Sequence, residues 1–243
     1  LLFHHIDIKM AKDFNQPFIV DGYDEHIRKL IPGYELVHLQ ISALLKTYLP
    51  EQANILVVGC GTGYELRYLT QQFPQWHFTA IDPAENMLHK AKQLLQESGA
   101  ADRVNFILGD TSVLIEIQSN SQSNCQPVQF DAALSILVSH FIDKPNKIHF
   151  FQDIYQVLKP QSFCLSYDLM QFEQKTDLTT LKYLAQATGL SDQQSQVMIE
   201  RLEQDFHLVS VAEMHQIYEK SGFTNIRTFT QMFTYYGFIA FKA

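Results

Sequence analysis

The stretch LVVGCGTGYEL, residues 56 to 66, narrows the folds open to this chain more than any other. The run NILVVG (54–59) is short, apolar and rich in β-branched residues, which fits a strand buried on both faces. It breaks into Gly59, Gly61 and Gly63, and Leu66, Tyr68, Leu69 and Phe73 then follow at helical spacing up to Pro74. Glycines at a strand-to-helix turn let the backbone bend sharply, approach a ligand with no Cβ in the way, and open a helix whose free amides attract negative charge. A nucleotide-like ligand is the natural occupant. The glycines alone are a weak signal, because they are often merely permissive at such a turn.

The rhythm that follows supports this reading. WHFTAID (76–82) is a second strand, and PAENMLHKAKQLLQESG (83–99) is a helix with Pro83 in its first turn, Met87, Leu88, Ala91, Leu94 and Leu95 on one stripe, and Gly99 as its stop. RVNFILGD (103–110) reads as a third strand, SNSQSNCQP (119–127) as a polar loop, and FDAALSILVSHF (130–141) as a fourth strand. NKIHFFQDIYQVLKP (146–160) reads as a helix stopped by Pro160, and SFCLSYDLM (162–170) as a fifth strand. Alternating strands and helices predict a Rossmann-like, doubly wound parallel sheet with its ligand beyond the carboxyl ends of the strands.

From Glu173 to Phe206 there is no strand candidate, and SDQQ (191–194) reads as a capping box before a helix carrying Ile199, Leu202 and Phe206. This is a helical cap insertion, spanning about 173–208. SVAE (210–213) opens a further helix ending near Gly222, and FTNIRTFT and MFTYYGFIAFK close the chain as two strands with a tight connection. The expectation is one domain over 1–243, with a helical segment over about 1–50 that includes a helix from Glu35 to Tyr48, and a seven-stranded, mostly parallel sheet ending in an antiparallel strand.

Composition bounds the partners. The 243 residues, 46% hydrophobic, suffice for one large core without disulfides. A net charge of -8 argues against non-specific attraction to nucleic acid or anionic membranes and favours small molecules. Cys60, Cys125 and Cys164 are odd in number and far apart, without metal-ligand spacing, which fits a reduced, cytoplasmic compartment and no metal site. No apolar run approaches the roughly 20 residues of a membrane helix, and the first residues lack the apolar core of a signal peptide. His4 and His5 belong to that end segment, and His38 reads as a polar residue on its helix.

Two acids sharpen the ligand. Asp82 ends the second strand, where a carboxylate accepts from both ribose hydroxyls, and Asp110 ends the third, within reach of an adenine. Each has a plainer reading, Asp82 as a cap before Pro83 and Asp110 as a turn residue. At successive strand ends beside a glycine loop, they act together.

VVGCGTG, AIDPAENML and ILGDT resemble the class I S-adenosylmethionine-dependent methyltransferases over about residues 34 to 170. From IPGY (31–34) to SGFTNIRTFTQMFTYYGFIAFK (221–242), the chain is most similar to the carboxy-S-adenosylmethionine synthases of tRNA wobble-uridine modification. The resemblance implies S-adenosyl-L-methionine as cofactor and S-adenosyl-L-homocysteine as product. It implies a cofactor site of Tyr34 at the methionine moiety, Gly59, Cys60, Gly61, Thr62 and Gly63 in the loop, Asp82, Pro83 and Met87 after strand two, and Gly109, Asp110 and Thr111 after strand three. It also implies a homodimer. That family's cap helix supplies an arginine to the extra carboxylate of its product, and an ungapped alignment puts Ile199 there. Arg201 is two residues on, about 200° around the helix.

Methyl transfer from a sulfonium depends chiefly on holding the reacting atoms in line. A hydroxyl acceptor benefits from a base, and His140 after the fourth strand is the candidate; its plainer reading is a partly buried residue at a helix start. Tyr235, with Tyr236, is a candidate wall of the acceptor pocket, although aromatic residues in a closing strand also serve as core. Ile199 is expected at the sulfonium end. The leading reading is a methyltransferase acting on a small, mainly apolar acceptor. The rivals are a carboxy-S-adenosylmethionine synthase, a non-catalytic S-adenosylmethionine-binding protein and, more remotely, an RNA methyltransferase.

Overall fold

The computed structural model describes residue 20 and residues 22–120 and 129–243. His4, His5, Cys125 and most of the polar loop at 119–127 lie outside these. The described elements run α1 (Tyr23–Leu30), α2 (Tyr34–Tyr48), β1 (Asn54–Val58), α3 (Tyr64–Gln72), β2 (His77–Asp82), α4 (Glu85–Glu97), β3 (Val104–Leu108), α5 (Ser112–Asn120), β4 (Phe130–Ile136), α6 (Lys147–Val157), β5 (Leu158–Leu169), α7 (Lys175–Ala187), α8 (Asp192–Asp205), α9 (Val211–Lys220), β6 (Thr224–Met232) and β7 (Tyr235–Phe241).

The strands form one sheet in the order β3-β2-β1-β4-β5-β7-β6. β7 runs antiparallel to both β5 and β6, and the first five strands are mutually parallel. Successive side chains of β1 divide between the two faces: Ile55 and Val57 join one apolar cluster, Leu56 and Val58 the other. That two-sided burial is why β1 is a continuous apolar run rather than an alternating one. The first cluster takes its helical side from α2, α3 and α4 and from the cap helices α7 and α8, through residues such as Ile41, Leu66, Leu95, Leu181 and Leu202. The second takes Leu114 of α5, Phe151 of α6 and Tyr218 of α9. Strand order reverses between β1 and β4, so the loops after these two strands flank the crevice where a doubly wound sheet binds its ligand.

Both expected capping boxes are present. Ser191 and Gln194 exchange side-chain bonds with each other's backbone amides at the start of α8, and Ser210 and Glu213 do the same at α9. Three local expectations need correction. β4 ends at Ile136 rather than running to Phe141, because Leu137 takes a left-handed φ of 60° and Ser139–Phe141 wind into a 3-10 turn. The helix expected to stop at Pro160 ends at Val157, and Leu158 already pairs with Phe130 in β5. Proline is tolerated there because a register shift interrupts the ladder. α5 was not anticipated; the Asp110 carboxylate accepts from the amide and hydroxyl of Ser112 at its start, and Leu114 is buried beneath it. α1, ahead of the Glu35–Tyr48 helix, falls within the helical segment expected over about 1–50.

Candidate functional site

The three glycines of the loop serve different ends. A Cβ at Gly59 would lie 2.4 Å from a methyl of Val138, and one at Gly63 would lie 3.0 Å from the Cα of Ala91, so these two permit close packing against the β4 loop and α4. A Cβ at Gly61 would meet nothing within 4 Å. Its φ of 50° requires glycine, and the space it leaves opens onto a cavity.

That cavity holds about 200 Å³. Tyr34, Gly59, Cys60, Gly61, Thr62, Asp82, Pro83 and Met87 all line it, together with Tyr23, Tyr64, Glu65 and an apolar wall of Ile136, Leu137, Val138, Phe141 and Ile142. Asp82 is only 7% exposed. Its two oxygens accept the amides of Gly61 and Ala84, each at 2.8 Å. Burial raises its carboxyl pKa, and those two amides oppose the rise. Each oxygen keeps a second lone pair for a ligand hydroxyl. Open space at Gly61, a paired carboxylate and an apolar wall fit a nucleoside-bearing ligand.

Four residues implied by the resemblance stand apart from this cavity's lining. Gly63 packs on α4. Asp110 is exposed and its carboxylate caps α5 through Ser112. Gly109 packs near Val113, and the buried Thr111 hydroxyl donates to Asp153 at 2.9 Å.

At the Tyr34 end lies a group that the sequence reading passed over. His38 is 3% exposed, its Nδ1 2.6 Å from the carbonyl of Tyr34 and its Nε2 3.0 Å from Glu65 Oε1. The rings of Tyr34, His38 and Tyr64 pack together, 4.6 to 5.2 Å apart. Burial disfavours the imidazolium, but the Glu65 carboxylate and the Tyr34 carbonyl outweigh it and raise the histidine pKa. His38 is therefore a buried residue of its helix, set against Glu65.

A second cavity, of about 310 Å³, lies under the cap and shares Tyr23, Leu137 and Phe141 with the first. His140 and Tyr235 line it, as do His26 and Ile27 of α1 and Val197, Met198, Arg201, Leu202, Asp205 and Phe206 of the cap. His140 is 4% exposed and stacks on Phe206 at 4.5 Å. Its Nδ1 lies 3.0 Å from Asp168 Oδ1, within ion-pair range but off the direction of a hydrogen bond. Asp168, fully buried at the end of β5, accepts the Ser139 hydroxyl at 2.7 Å and the His140 amide at 3.3 Å. Lys147 donates to the Ser139 carbonyl, and burial pushes its ammonium down to about 8 against the pull of Asp168. Asp168 was missed in the sequence although it is the lone charge within SFCLSYDLM.

Ile199 departs from its expected place. It is half-buried against the first apolar cluster and lines neither cavity, whereas Arg201 lines the cap cavity. The 200° between them holds, but the helix turns the arginine, not the isoleucine, toward the space. Tyr236 lines neither cavity; it stacks on Phe238 and accepts a hydrogen bond from Gln231.

Comparison with known proteins agrees with this architecture. A family described as "Methyltransferase domain" matches residues 55–161. The carboxy-S-adenosyl-L-methionine synthase of Campylobacter concisus is 25% identical, over 96% of this chain and 96% of its own. Among solved structures, an O-methyltransferase family 2 protein from Planctomyces limnophilus, in complex with apigenin, superposes with a TM-score of 0.63 at 14% identity, over 98% of this chain and 63% of that one. CalO1, a methyltransferase in calicheamicin biosynthesis, in its SAH-bound form, gives 0.55 at 14% identity, over 87% and 56%. The chain thus spans about three-fifths of the length of those two structures. With the strand order, the glycine loop and the acid after β2, the methyltransferase-domain match and these likenesses support a class I S-adenosylmethionine-dependent methyltransferase similar to the carboxy-S-adenosylmethionine synthases.

Proposed function

We propose that this enzyme transfers a methyl group from S-adenosyl-L-methionine to a hydroxyl of a small, mainly apolar molecule held in the cap cavity, with His140 as general base. One observation carries the reading: the glycine-loop cavity and the cap cavity share a wall, and the His140–Asp168 pair stands on the cap side. The cofactor supplies an electrophilic methyl carbon and leaves as the neutral thioether S-adenosyl-L-homocysteine.

The chain's own residues do the rest. Asp82 and the glycine loop hold the nucleoside end, and Tyr34 the methionine end. The apolar lining of the cap cavity excludes water from the hydroxyl. Asp168 faces Nδ1 of His140, which favours the tautomer protonated there and leaves the Nε2 lone pair to take the hydroxyl proton as the oxygen attacks. Tyr235 forms part of the acceptor wall. Among the described residues no group of three or more His, Cys, Asp or Glu side chains is placed to hold a metal, and no step proposed here uses one.

The reading includes a cytoplasmic location and a homodimer. The buried free thiols of Cys60 and Cys164 suit a reducing compartment, and no helix among the described residues is long and apolar enough to cross a membrane. Leu36 and Leu39, 47% and 55% exposed on α2, suit a subunit contact. Direct nucleic-acid binding is not part of the reading. The test is transfer of isotopically labelled methyl from S-adenosyl-L-methionine to a panel of small phenols and enols, alongside mass spectrometry of molecules that co-purify. Label in a small O-methylated product, lost in His140→Gln, is the expected result; no transfer to any hydroxyl would defeat the proposal.

A second reading, a carboxy-S-adenosylmethionine synthase, is favoured by Arg201 in the cap cavity. Release of carboxy-S-adenosylmethionine from S-adenosyl-L-methionine and prephenate would establish it.

A further inference from the structure

The carboxylate of Glu65 is the least expected group in the glycine-loop cavity. Its side chain is 14% exposed, yet it lines a space whose other acid, Asp82, already accepts two amides. No lysine, arginine or histidine is among the described residues lining that cavity. Buried carboxylates are costly without partners, and Glu65 has a specific one.

The geometry around His38 sets the protonation of the pair. Nδ1 faces a backbone carbonyl and Nε2 faces the carboxylate, so both ring nitrogens meet acceptors. A neutral imidazole has only one donor, so against an ionised Glu65 the ring must be an imidazolium. The groups around it are consistent with this. Tyr34 and Tyr64 contribute ring faces, Glu35 adds a second negative charge, and the nearby Arg28 is occupied, 3.6 Å from Glu35 and 4.9 Å from the ring centre of Tyr64. Among the described residues no hydrogen bond reaches the other oxygen of Glu65, which remains able to accept one from a ligand in the cavity.

We propose that Glu65 receives the α-ammonium of the cofactor's amino-acid end, and that His38 is a positioning residue that fixes this carboxylate at the cavity wall. This rests on the reading of the cavity as the S-adenosyl-L-methionine site with Tyr34 at its methionine end. A charge-assisted hydrogen bond recognises the one cationic group that the cofactor and its thioether product share. The same contact would select for ligands bearing a free α-amino group.

Two probes separate this from a purely structural role. S-adenosyl-L-homocysteine carries the amino-acid end and no sulfonium; 5′-methylthioadenosine keeps the nucleoside and lacks the amino acid. Calorimetric titration of the wild type should show binding of both. In Glu65→Gln, which can still hydrogen-bond a neutral His38, affinity for S-adenosyl-L-homocysteine should fall about ten- to a hundredfold, with that for methylthioadenosine unchanged. In His38→Gln the first affinity should fall by a smaller factor. The wild-type change of that affinity as pH rises through the raised titration range of His38 should flatten in the variant. Equal loss for both probes, or no loss for S-adenosyl-L-homocysteine, overturns the proposal and leaves the cofactor site standing. Failure of the folded wild type to bind either probe overturns both.

Discussion

The imidazole Nδ1 of His140 lies 3.0 Å from Oδ1 of Asp168, where β4 and β5 end side by side at the edge of the cap cavity. β4 contributes the histidine through the turn that follows it, and β5 contributes the aspartate from within the strand. If this pair is the general base and its orienter, Asp168→Asn should reduce methyl transfer by about a hundred- to ten-thousandfold. Cofactor affinity should stay within about threefold, because Asp168 lines neither cavity. His140→Gln should match it in activity. Single-turnover transfer measured beside calorimetric cofactor binding checks both, and a parallel loss of cofactor affinity would mean that the pair is structural.

Gly61 and Gly63 should fail differently. Gly61→Val places its side chain in open space beside the ligand, at the cost of a left-handed φ, so the protein should remain folded, with about 1–2 kcal/mol lost and no measurable cofactor binding. Gly63→Ala drives a methyl against the backbone of Ala91 and should cost about 2–4 kcal/mol of stability before function is reached. Chemical denaturation and calorimetry on the same samples separate the two. Normal affinity in Gly61→Val would assign that glycine to the turn alone.

Stability should carry the imprint of two buried bases with opposite signs. His38 has a raised pKa when folded, so its contribution is fully present below the ordinary histidine value of about 6.5 and is lost as pH rises through the raised value. Lys147 is pushed down to about 8, so its burial penalty is relieved, and stability gained, as pH rises from there toward the unfolded lysine value of about 10.4. Thermal midpoints should decline above about pH 6.5 in the wild type and decline less in His38→Gln. Above about pH 8 the slope should turn upward, and that upturn should be absent in Lys147→Met. Identical profiles in wild type and His38→Gln would show that no ion pair forms with Glu65.

The sheet was legible because two-sided burial leaves an unambiguous mark: β1, β4 and β5 are apolar runs, and the helices between them keep a single stripe. The glycine loop, Asp82 and the capping boxes were legible for the same kind of reason, since each satisfies a local backbone need. α5 escaped because its short apolar stripe merges with the polar segment after it. Glu65 and His38 escaped because a carboxylate and an imidazole meeting across 27 positions leave no periodic trace. Asp110 carried a signal that two structures satisfy equally, a ligand contact or a helix cap, and its carboxylate caps α5. On α8, sequence alignment picked a position correctly spaced from Arg201 but assigned the cavity to the wrong side of the helix, because nothing in the sequence says which face the cap turns inward.

That last point bears on which cofactor the cap admits. An isoleucine at the reacting end would leave a second carboxylate without a partner, but Ile199 lies half-buried against the core and Arg201 lines the cap cavity instead. No hydrogen bond or ion pair engages Arg201 among the described residues. Four positions along the same helix, Asp205 lines the same cavity, so the two side chains together bring no net charge to it. A carboxylate entering there gains from one and is repelled by the other. Plain S-adenosyl-L-methionine should accordingly bind at least as well as carboxy-S-adenosylmethionine, and Arg201→Leu should alter their ratio by less than about threefold. Ile199→Arg should not create a carboxylate site; it should instead destabilise the cap by burying an unpaired charge. Competitive titration of the two cofactors against wild type and Arg201→Leu decides the matter. A wild-type preference for the carboxylated form that disappears in the variant would identify the chain as a carboxy-S-adenosylmethionine synthase.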